Sequence, residues 1–286
     1  MSYIIGLVVT LACVCTGYLL AGGKFAVIMH ALPYEMTMIM GAGAGSVIAA
    51  AGLKTCMPLI SLVIKALTGD PYSKKNIRTV LAVLYMSFNK LELSKGDFDT
   101  FVEEDGFKQH KGSASFPPKT LFGNGARRIL GMATKSFQSE AERGRVIANI
   151  IKNETKVYVD YAGYVTQLAD SLPAIGIVAA VLGIIKTMSS IDKPPEVLGG
   201  MIGSALVGTF LGVFLAYCVV QPLAGAINKY LKGETNVLYA FCTALEDFAK
   251  HRNAQGAIDL FLYNMPSSVK FSIEEIIEIR QEVQDI

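Results

Sequence analysis

Four long runs of apolar residues divide the chain, and each is long enough to cross a bilayer as a helix. A hydrocarbon core about 30 Å thick needs roughly 20 apolar residues in a helix. The predicted spans run from Tyr3 to about Ala21, from about Met36 to Leu53, from Leu172 to about Ser189 and from Leu198 to Gln221. Strand periodicity is weak elsewhere. The sequence therefore predicts an all-α, polytopic membrane protein with four transmembrane helices and a helical cytoplasmic domain.

The spans divide the chain into four predicted segments. Residues 1–53 form a transmembrane hairpin, residues 54–170 a helical cytoplasmic domain, residues 171–222 a second transmembrane hairpin and residues 223–286 a helical cytoplasmic tail.

Two segments outside the spans carry further helix signals. The stretch from Ser139 to Ala169 has helical periodicity and can continue into the third span as one helix. In the tail, Ser272 followed by Glu275 is a capping-box pair, which predicts that a helix begins there. Its predicted apolar face consists of Ile273, Ile276, Ile277 and Val283.

The distribution of charge orients the spans. Of the 286 residues, 52% are hydrophobic and 17% charged, whereas soluble domains have about 25% charged residues. Residues 54–171 carry seventeen Lys and Arg, and six follow Pro222, but the two short connections contain only Lys24 and Lys193. Because basic residues stay on the cytoplasmic side, both termini are predicted to be cytoplasmic. A net charge of +2 gives no reason to expect nucleic acid as a partner.

Small residues form a stripe along the fourth span. They recur every four positions and therefore share one helix face, where another helix can approach closely; they are Gly200, Ser204, Gly208, Gly212 and Ala216. The third span contains Gly176 and Gly183. We interpret these glycines as helix-packing positions, within one bundle or between copies of the chain.

None of the predicted spans contains Asp or Glu. Glu35 and Asp170 lie only at predicted edges, and Thr209 is the conspicuous polar residue in mid-membrane. Its hydroxyl either bonds the carbonyl four residues earlier or serves an ion path. If the chain moves ions, the titrating carboxylate is expected from another polypeptide.

Two prolines lie at the predicted cytoplasmic border of the second hairpin. Pro173 starts the third span and Pro222 ends the fourth. Either they only mark helix ends, or each creates a bend with unpaired carbonyls, where a helix moves or a proton exits. No nucleophile–base pair, phosphate-binding loop or metal-ligand constellation is visible in the sequence, so we expect no enzymatic activity, cofactor or metal ion.

The spans resemble those of the MotA family of flagellar stator subunits. The similarity is carried by Ser171-Leu172-Pro173-Ala174-Ile175-Gly176-Ile177-Val178-Ala179-Ala180-Val181-Leu182-Gly183 and by Val207-Gly208-Thr209-Phe210-Leu211-Gly212, followed by Leu215-Ala216-Tyr217 and Pro222-Leu223-Ala224. Gly17-Tyr18-Leu19 and Gly41-Ala42-Gly43-Ala44-Gly45-Ser46 are similar to the first two spans. The likeness covers nearly the full length.

This resemblance implies a function. In the family, the subunit forms an ion-driven motor unit in the bacterial inner membrane with a MotB-type partner, a single-span protein anchored to peptidoglycan. The implied assembly is a homopentamer around two partner helices, each with an ion-binding Asp, embedded in the lipid bilayer and acting on a rotor switch protein of the FliG type.

The resemblance also assigns residues. It places Thr209, Ala180, Pro173, Pro222 and Tyr217 on the ion path or facing the partner. Ala180 matches a position that is Thr in sodium-driven relatives, and a methyl group offers no oxygen ligand to sodium. We therefore expect the translocated ion to be H⁺, with Na⁺ as the alternative.

The resemblance also indicates a surface that contacts the rotor. Lys90 best matches the family's basic residue, and Asp99 with Glu103 matches the acidic pair if one residue is inserted. The alternative is that these charges only form a solvated face.

Two other functions stay open at this point. An energiser of the ExbB/TolQ type shares the chemistry of the third and fourth spans, but those relatives have three spans. A solute transporter or membrane scaffold is the alternative from a different class, although neither inverted repeats nor a broken mid-membrane helix is visible.

Overall fold

The computed structural model of the protein describes residues 2–23, 25–93, 121–133, 140–251 and 253–284. These ranges contain helices and short connections, without a strand. The helices are α1 (Ser2–Leu20), α2 (Phe25–Ala51), α3 (Leu53–Thr68), α4 (Lys74–Leu93), α5 (Leu121–Ala133), α6 (Glu140–Met188), α7 (Pro195–Phe214), α8 (Gln221–His251), α9 (Ala254–Tyr263) and α10 (Ile273–Gln284). A π-helical turn, Leu215–Val220, joins α7 to α8. The predicted all-α fold class is confirmed.

Among the described residues, four helical segments are long and apolar enough to span a membrane, as predicted, and they begin at Tyr3, Phe25, Gly144 and Pro195. The second segment begins at Phe25 rather than near Met36, and it continues through Pro33. Proline lacks the N–H that would bond the preceding turn, but transmembrane helices tolerate such a gap when neighbouring groups satisfy the freed carbonyls. The sequence from Ser139 onward was expected to continue into the third span, and α6 is indeed a single helix of 49 residues.

The chain forms two compact units. The first comprises Met1–Thr68 with Asp160–Asn228, and the second comprises Gly69–Val159 with Lys229–Ile286. Helices α6 and α8 each contribute residues to both units. Helix α6 continues through the boundary between Val159 and Asp160, and α8 continues through the boundary between Asn228 and Lys229. The domain boundaries that the hydropathy pattern indicates stay predictions.

In the first unit, α2 packs along α7 and α1 contacts the π-helical turn. Gly22 and Gly52 follow α1 and α2 with φ of 79° and 77°, a left-handed conformation that only glycine adopts without strain. Long apolar side chains of α1, including Ile5 and Leu20, are exposed in the isolated chain. Such a surface requires lipid or other protein around it.

The second unit has a conventional aromatic core. The Phe88 ring of α4 stacks on Phe248 of α8 at a centroid distance of 4.1 Å. Phe122 of α5 meets Phe241 edge-on at 5.5 Å. Aromatic pairs at these separations add to the burial of apolar area, so these contacts hold α4, α5 and α8 together.

Helix α10 closes this core and begins with the predicted capping box. The Ser272 N–H donates to Glu275 Oε2 at 3.0 Å, and the Glu275 N–H donates to Ser272 Oγ at 3.3 Å. Lys74 Nζ lies 2.5 Å from Glu275 Oε1. The hydrogen bond from Lys74, followed by the one from the Ser272 backbone, lowers the pKa of Glu275.

The predicted apolar face of α10 is partly wrong. Ile279 is fully buried, whereas Ile273 and Ile277 are exposed and Ile276 packs against the core from its edge. The reason is the position of α4, which α10 contacts: the buried stripe follows α4, not the densest run of isoleucines.

Candidate functional site

In the first unit, the backbones of α6 and α7 approach each other closely. A Cβ added at Gly176 would lie 2.8 Å from the Gly208 carbonyl oxygen and 2.9 Å from the Gly212 Cα. Towards the end of α6, a Cβ at Gly183 would lie 2.7 Å from the Ala205 Cβ. Only glycine permits backbones to approach so closely. The small residues predicted for packing therefore line one seam at Gly176, Gly183, Gly208 and Gly212.

Two members of the predicted stripe lie differently. A Cβ at Gly200 would meet no described atom within 4 Å. Ser204 is partly exposed and lines a cavity between α2, α6 and α7. The small residues of the four-residue repeat therefore have different surroundings along α7: Gly200 faces open space, Ser204 lines the cavity, and Gly208 and Gly212 lie at the seam.

Thr209 follows directly after the seam residue Gly208 and is partly exposed. Many threonines in the chain donate to the carbonyl four residues earlier, for example Thr37 to Pro33 at 2.7 Å and Thr187 to Gly183 at 2.9 Å. Within the described residues, the Thr209 hydroxyl has no such bond. The assignment of Thr209 to an ion path stays a prediction.

Ala180 lies beside the seam on α6 and is buried, with 6% of its surface exposed. Its neighbour Ala179 lies 3.3 Å from where a Gly208 Cβ would be. A larger side chain at Ala180 would therefore enter a packed region.

Pro173 does not begin a helix, since α6 runs unbroken from Glu140 to Met188. The missing N–H leaves the Ala169 carbonyl without its usual helical donor. A Cβ at Gly212 would lie 2.8 Å from the carbonyl oxygen of Leu172. The proline turn is thus packed directly against the seam.

Pro222 is accommodated by the π-helical turn. It lies in the first turn of α8, and the preceding Gln221 N–H bonds the Ala216 carbonyl five residues earlier. A π-turn is a frequent feature of functional sites. Tyr3 of α1 donates its hydroxyl to the Val219 carbonyl at 3.0 Å, which satisfies an acceptor within the turn.

Tyr217 projects from the same turn with 62% of its surface exposed. Phe210, two turns earlier on α7, is also exposed at 43%. Large exposed aromatic side chains in a membrane helix require lipid or protein contact. The structure therefore leaves Tyr217 accessible to a neighbouring chain.

Glu35 was wrongly placed at the edge of the second span. Since α2 begins at Phe25, Glu35 lies about 15 Å inside the helix at a rise of 1.5 Å per residue. Only 5% of its surface is exposed, and its carboxylate packs against Gly208. The chain therefore contains a buried membrane carboxylate of its own.

The residues expected to contact the rotor fall at or beyond a described boundary. Lys90 lies in α4, but its side chain is outside the described residues, as are Asp99 and Glu103.

Sequence reasoning missed three features of this site: the depth of Glu35, the π-helical turn and the Tyr3 bond. The apolar run that begins at Phe25 was a usable signal for the first. The other two depend on contact between distant segments and carry no local signal.

Comparisons with known proteins agree with this geometry. Residues 4–95 match the family model described as Motility protein A N-terminal, and residues 119–239 match the MotA/TolQ/ExbB proton channel family. The chain is 30% identical to Motility protein A of Escherichia coli K12, over 80% of this chain and 78% of that protein. It is 29% identical to the chemotaxis protein LafT of Vibrio parahaemolyticus, over 81% of each.

Two solved structures share the fold. The structure of C. jejuni MotAB aligns with a TM-score of 0.65 at 16% identity, over 93% of this chain and 96% of that chain. The flagellar MotAB stator complex from Bacillus subtilis aligns with a TM-score of 0.65 at 18% identity, over 94% and 97%.

Proposed function

The chain belongs to the MotA family of flagellar motor stator subunits, and we propose that it converts proton flow into torque together with a MotB-type partner. It is a multi-pass protein of the bacterial inner membrane with four apolar helices. The match of residues 4–95 to a MotA-specific description favours this function over an ExbB/TolQ-type energiser, because the second family description covers both.

The observation that carries the proposal is the unbonded hydroxyl of Thr209 beside the α6–α7 seam. An acid of the partner's helix facing this hydroxyl would gain a hydrogen bond in a medium of low dielectric constant, where such bonds are strong. Pro173 and Pro222 would let the two helices bend near the cytoplasmic end when that acid gains or loses its proton, with Tyr217 contacting the partner's helix.

The transported ion would be H⁺ rather than Na⁺. The methyl group of Ala180 offers no oxygen ligand, and the residue is tightly packed. A dehydrated cation needs several oxygen ligands, whereas a proton needs only one acceptor at a time. Transport would need no other cofactor.

The exposed apolar surface supports assembly with other chains. Ile177, Val181 and Leu206 on α6 and α7 are each about half exposed in the single chain. Five copies around two partner helices would cover such faces, while α1 would remain against lipid. In this arrangement both termini would be cytoplasmic, in accordance with the positive-inside distribution of Lys and Arg.

Torque would pass to a FliG-type rotor protein through the charged residues Lys90, Asp99 and Glu103. Exposed ion pairs are worth under about 1 kcal/mol each, so contacts of this kind exchange rapidly, as stepping requires.

The test is complementation of a deletion strain with two variants of Thr209. Deletion should give cells that keep their filaments but do not swim. Thr209→Ser keeps the hydroxyl and should restore swimming, whereas Thr209→Val has nearly the same shape without a donor and should not. Membrane levels of both variants are compared by immunoblot. Normal swimming of the deletion strain refutes the function, and normal swimming with Thr209→Val refutes the role of the hydroxyl.

A further inference from the structure

Glu35 is a charged residue type in an apolar setting. It lies well inside a helix that is long and apolar enough to span the membrane, and it is 95% buried, since 5% of its surface is exposed. Its Oε2 is buried and has no hydrogen-bond partner among the described residues. Such an orphaned acceptor is rare in folded proteins and calls for an explanation.

The carboxylate of Glu35 forms no ion pair among the described residues. Its carboxylate packs against Gly208 of α7, where a Cβ would overlap it. The ionisable groups around it are His30 and Tyr34 on its own helix and Lys186 on α6; α7 contributes none among the lining residues. In the described residues, neither His30 nor Lys186 forms an ion pair with Glu35.

An isolated carboxylate in such a place is too costly to keep. Burying an unpaired charge in an apolar medium costs so much that the group takes up a proton instead. Intramembrane acids are accordingly associated with ion pathways and proton relays. A neutral Glu35 would carry one exchangeable proton directly behind the backbone that presents Thr209.

A cavity beside Glu35 has room for water. It has a volume of about 520 Å³ and is lined by Glu35 together with the polar side chains of His30, Thr187 and Ser204. Since a water molecule occupies about 30 Å³ in the liquid, the cavity has room for a chain of several molecules. Thr187 already donates to the Gly183 carbonyl at 2.9 Å, so its oxygen remains as an acceptor for water.

We propose that Glu35 is a proton-binding site within this subunit, loaded through the cavity from the side opposite the cytoplasm. A cavity water donates a proton to the Glu35 carboxylate, and the carboxylic acid then donates a proton onward to a water on the path to the partner's acid, so that each proton taken up is passed on and no other reactant is needed. This inference rests on the proposed function for its direction, but the protonation of Glu35 is testable independently of motility.

The first experiment measures protonation directly in membranes that contain the full chain. A hydrophobic carbodiimide adds to a protonated carboxyl group in apolar surroundings: the acid proton moves to a carbodiimide nitrogen, the carboxylate oxygen bonds to the central carbon, and rearrangement leaves an N-acylurea. At neutral pH, mass spectrometry should find this adduct on Glu35 and none on the exposed Asp192. Unmodified Glu35 after prolonged exposure, with a reactive peptide elsewhere as positive control, overturns the proposal.

The second experiment asks whether the proton moves. Glu35→Gln has the same shape but cannot titrate, and Glu35→Asp retains the acid. In cells that express the chain with its partner, the Gln variant should lower proton influx by at least about tenfold, as expected when a positioned acid–base group is lost, while the Asp variant should retain part of it. Met40→Leu, at an exposed position of α2 outside the cavity, serves as the matched control.

The outcomes separate this inference from the proposed function. A motile wild type with wild-type influx through Glu35→Gln refutes proton binding at Glu35 and leaves the stator function intact. If the deletion strain swims normally, the stator function fails, whereas carbodiimide labelling of Glu35 still decides its protonation. Immunoblots of membranes show whether a lower influx results from loss of the variant protein. If Glu35→Gln is missing from the membranes, Glu35→Asp takes its place, and a failure of the carbodiimide to label Asp at this position would also refute the proposal.

Discussion

The α6–α7 seam makes a quantitative prediction for Gly176→Ala. The new Cβ would lie 2.8 Å from the Gly208 carbonyl oxygen, whereas ordinary contact begins at 3.4 Å. The helices must therefore separate by about 0.6 Å, because both groups that the methyl meets belong to the backbone of α7 and no side chain can rotate away. A gap of this size forfeits about a quarter to a half of the dispersion energy of the adjoining contacts.

The control is Gly163→Ala on the same helix, where a Cβ would meet no described atom within 4 Å. Both changes gain the helix propensity of alanine, about 1 kcal/mol. Overpacking at Gly176 costs about 1–3 kcal/mol, and the difference between the variants isolates this term. Gly163→Ala should therefore be as stable as the wild type or more stable, and Gly176→Ala less stable.

The assay is the thermal midpoint of the complex in detergent, followed by size-exclusion chromatography, with swimming speed as the functional measurement. Gly176→Ala should melt at a lower temperature than Gly163→Ala and slow the cells. Equal midpoints for the two variants would show that α6 and α7 do not touch at Gly176, and the site built on this seam would then be incorrect.

Three further predictions concern other contacts. Tyr3→Phe removes the donor to the Val219 carbonyl and should lower stability by about 1 kcal/mol, measured as the thermal midpoint; an unchanged midpoint would show that the bond contributes nothing. Lys74 and the capping box lower the pKa of Glu275 in the folded chain, so the stability that ionised Glu275 contributes is present above the pKa of the unfolded chain and is lost as the pH falls through the lowered folded value. Proteolysis of the C-terminal helix should therefore increase with acid in the wild type and respond less in Glu275→Gln. Identical acid profiles of the two proteins would contradict this. Phe248→Ala empties a fully buried position and should cost about 3–5 kcal/mol, visible as a loss of folded protein in membranes, whereas wild-type levels and wild-type thermal stability would be inconsistent with the aromatic core.

Much of the fold was predictable because its determinants are local. Apolar runs of bilayer length, such as the one from Tyr3, become spans whatever they pack against, since water is excluded from the bilayer core. The capping box at Ser272 and Glu275 also forms as predicted, because all of its groups lie within one turn.

The sequence predicted that helices would pack closely at small residues, but not which residues would meet. The small residues of α7 indicate close packing, but which of them meets Gly176 depends on the rotation of each helix. Gly208 and Gly212 do so, while Gly200 does not. Side chains elsewhere on the helices set that rotation, and no local pattern encodes it.

The sequence by itself determined the apolar helices, their number and the residue types available to an ion path. Only the tertiary structure decided that Glu35 packs against Gly208, that the Tyr3 hydroxyl donates to the Val219 carbonyl and that Ile279 rather than Ile277 is buried. Helix formation depends on neighbours within a few residues, whereas burial depends on contact between segments far apart in the chain. The local sequence therefore determines where a helix forms, whereas tertiary packing determines which face of the helix is buried.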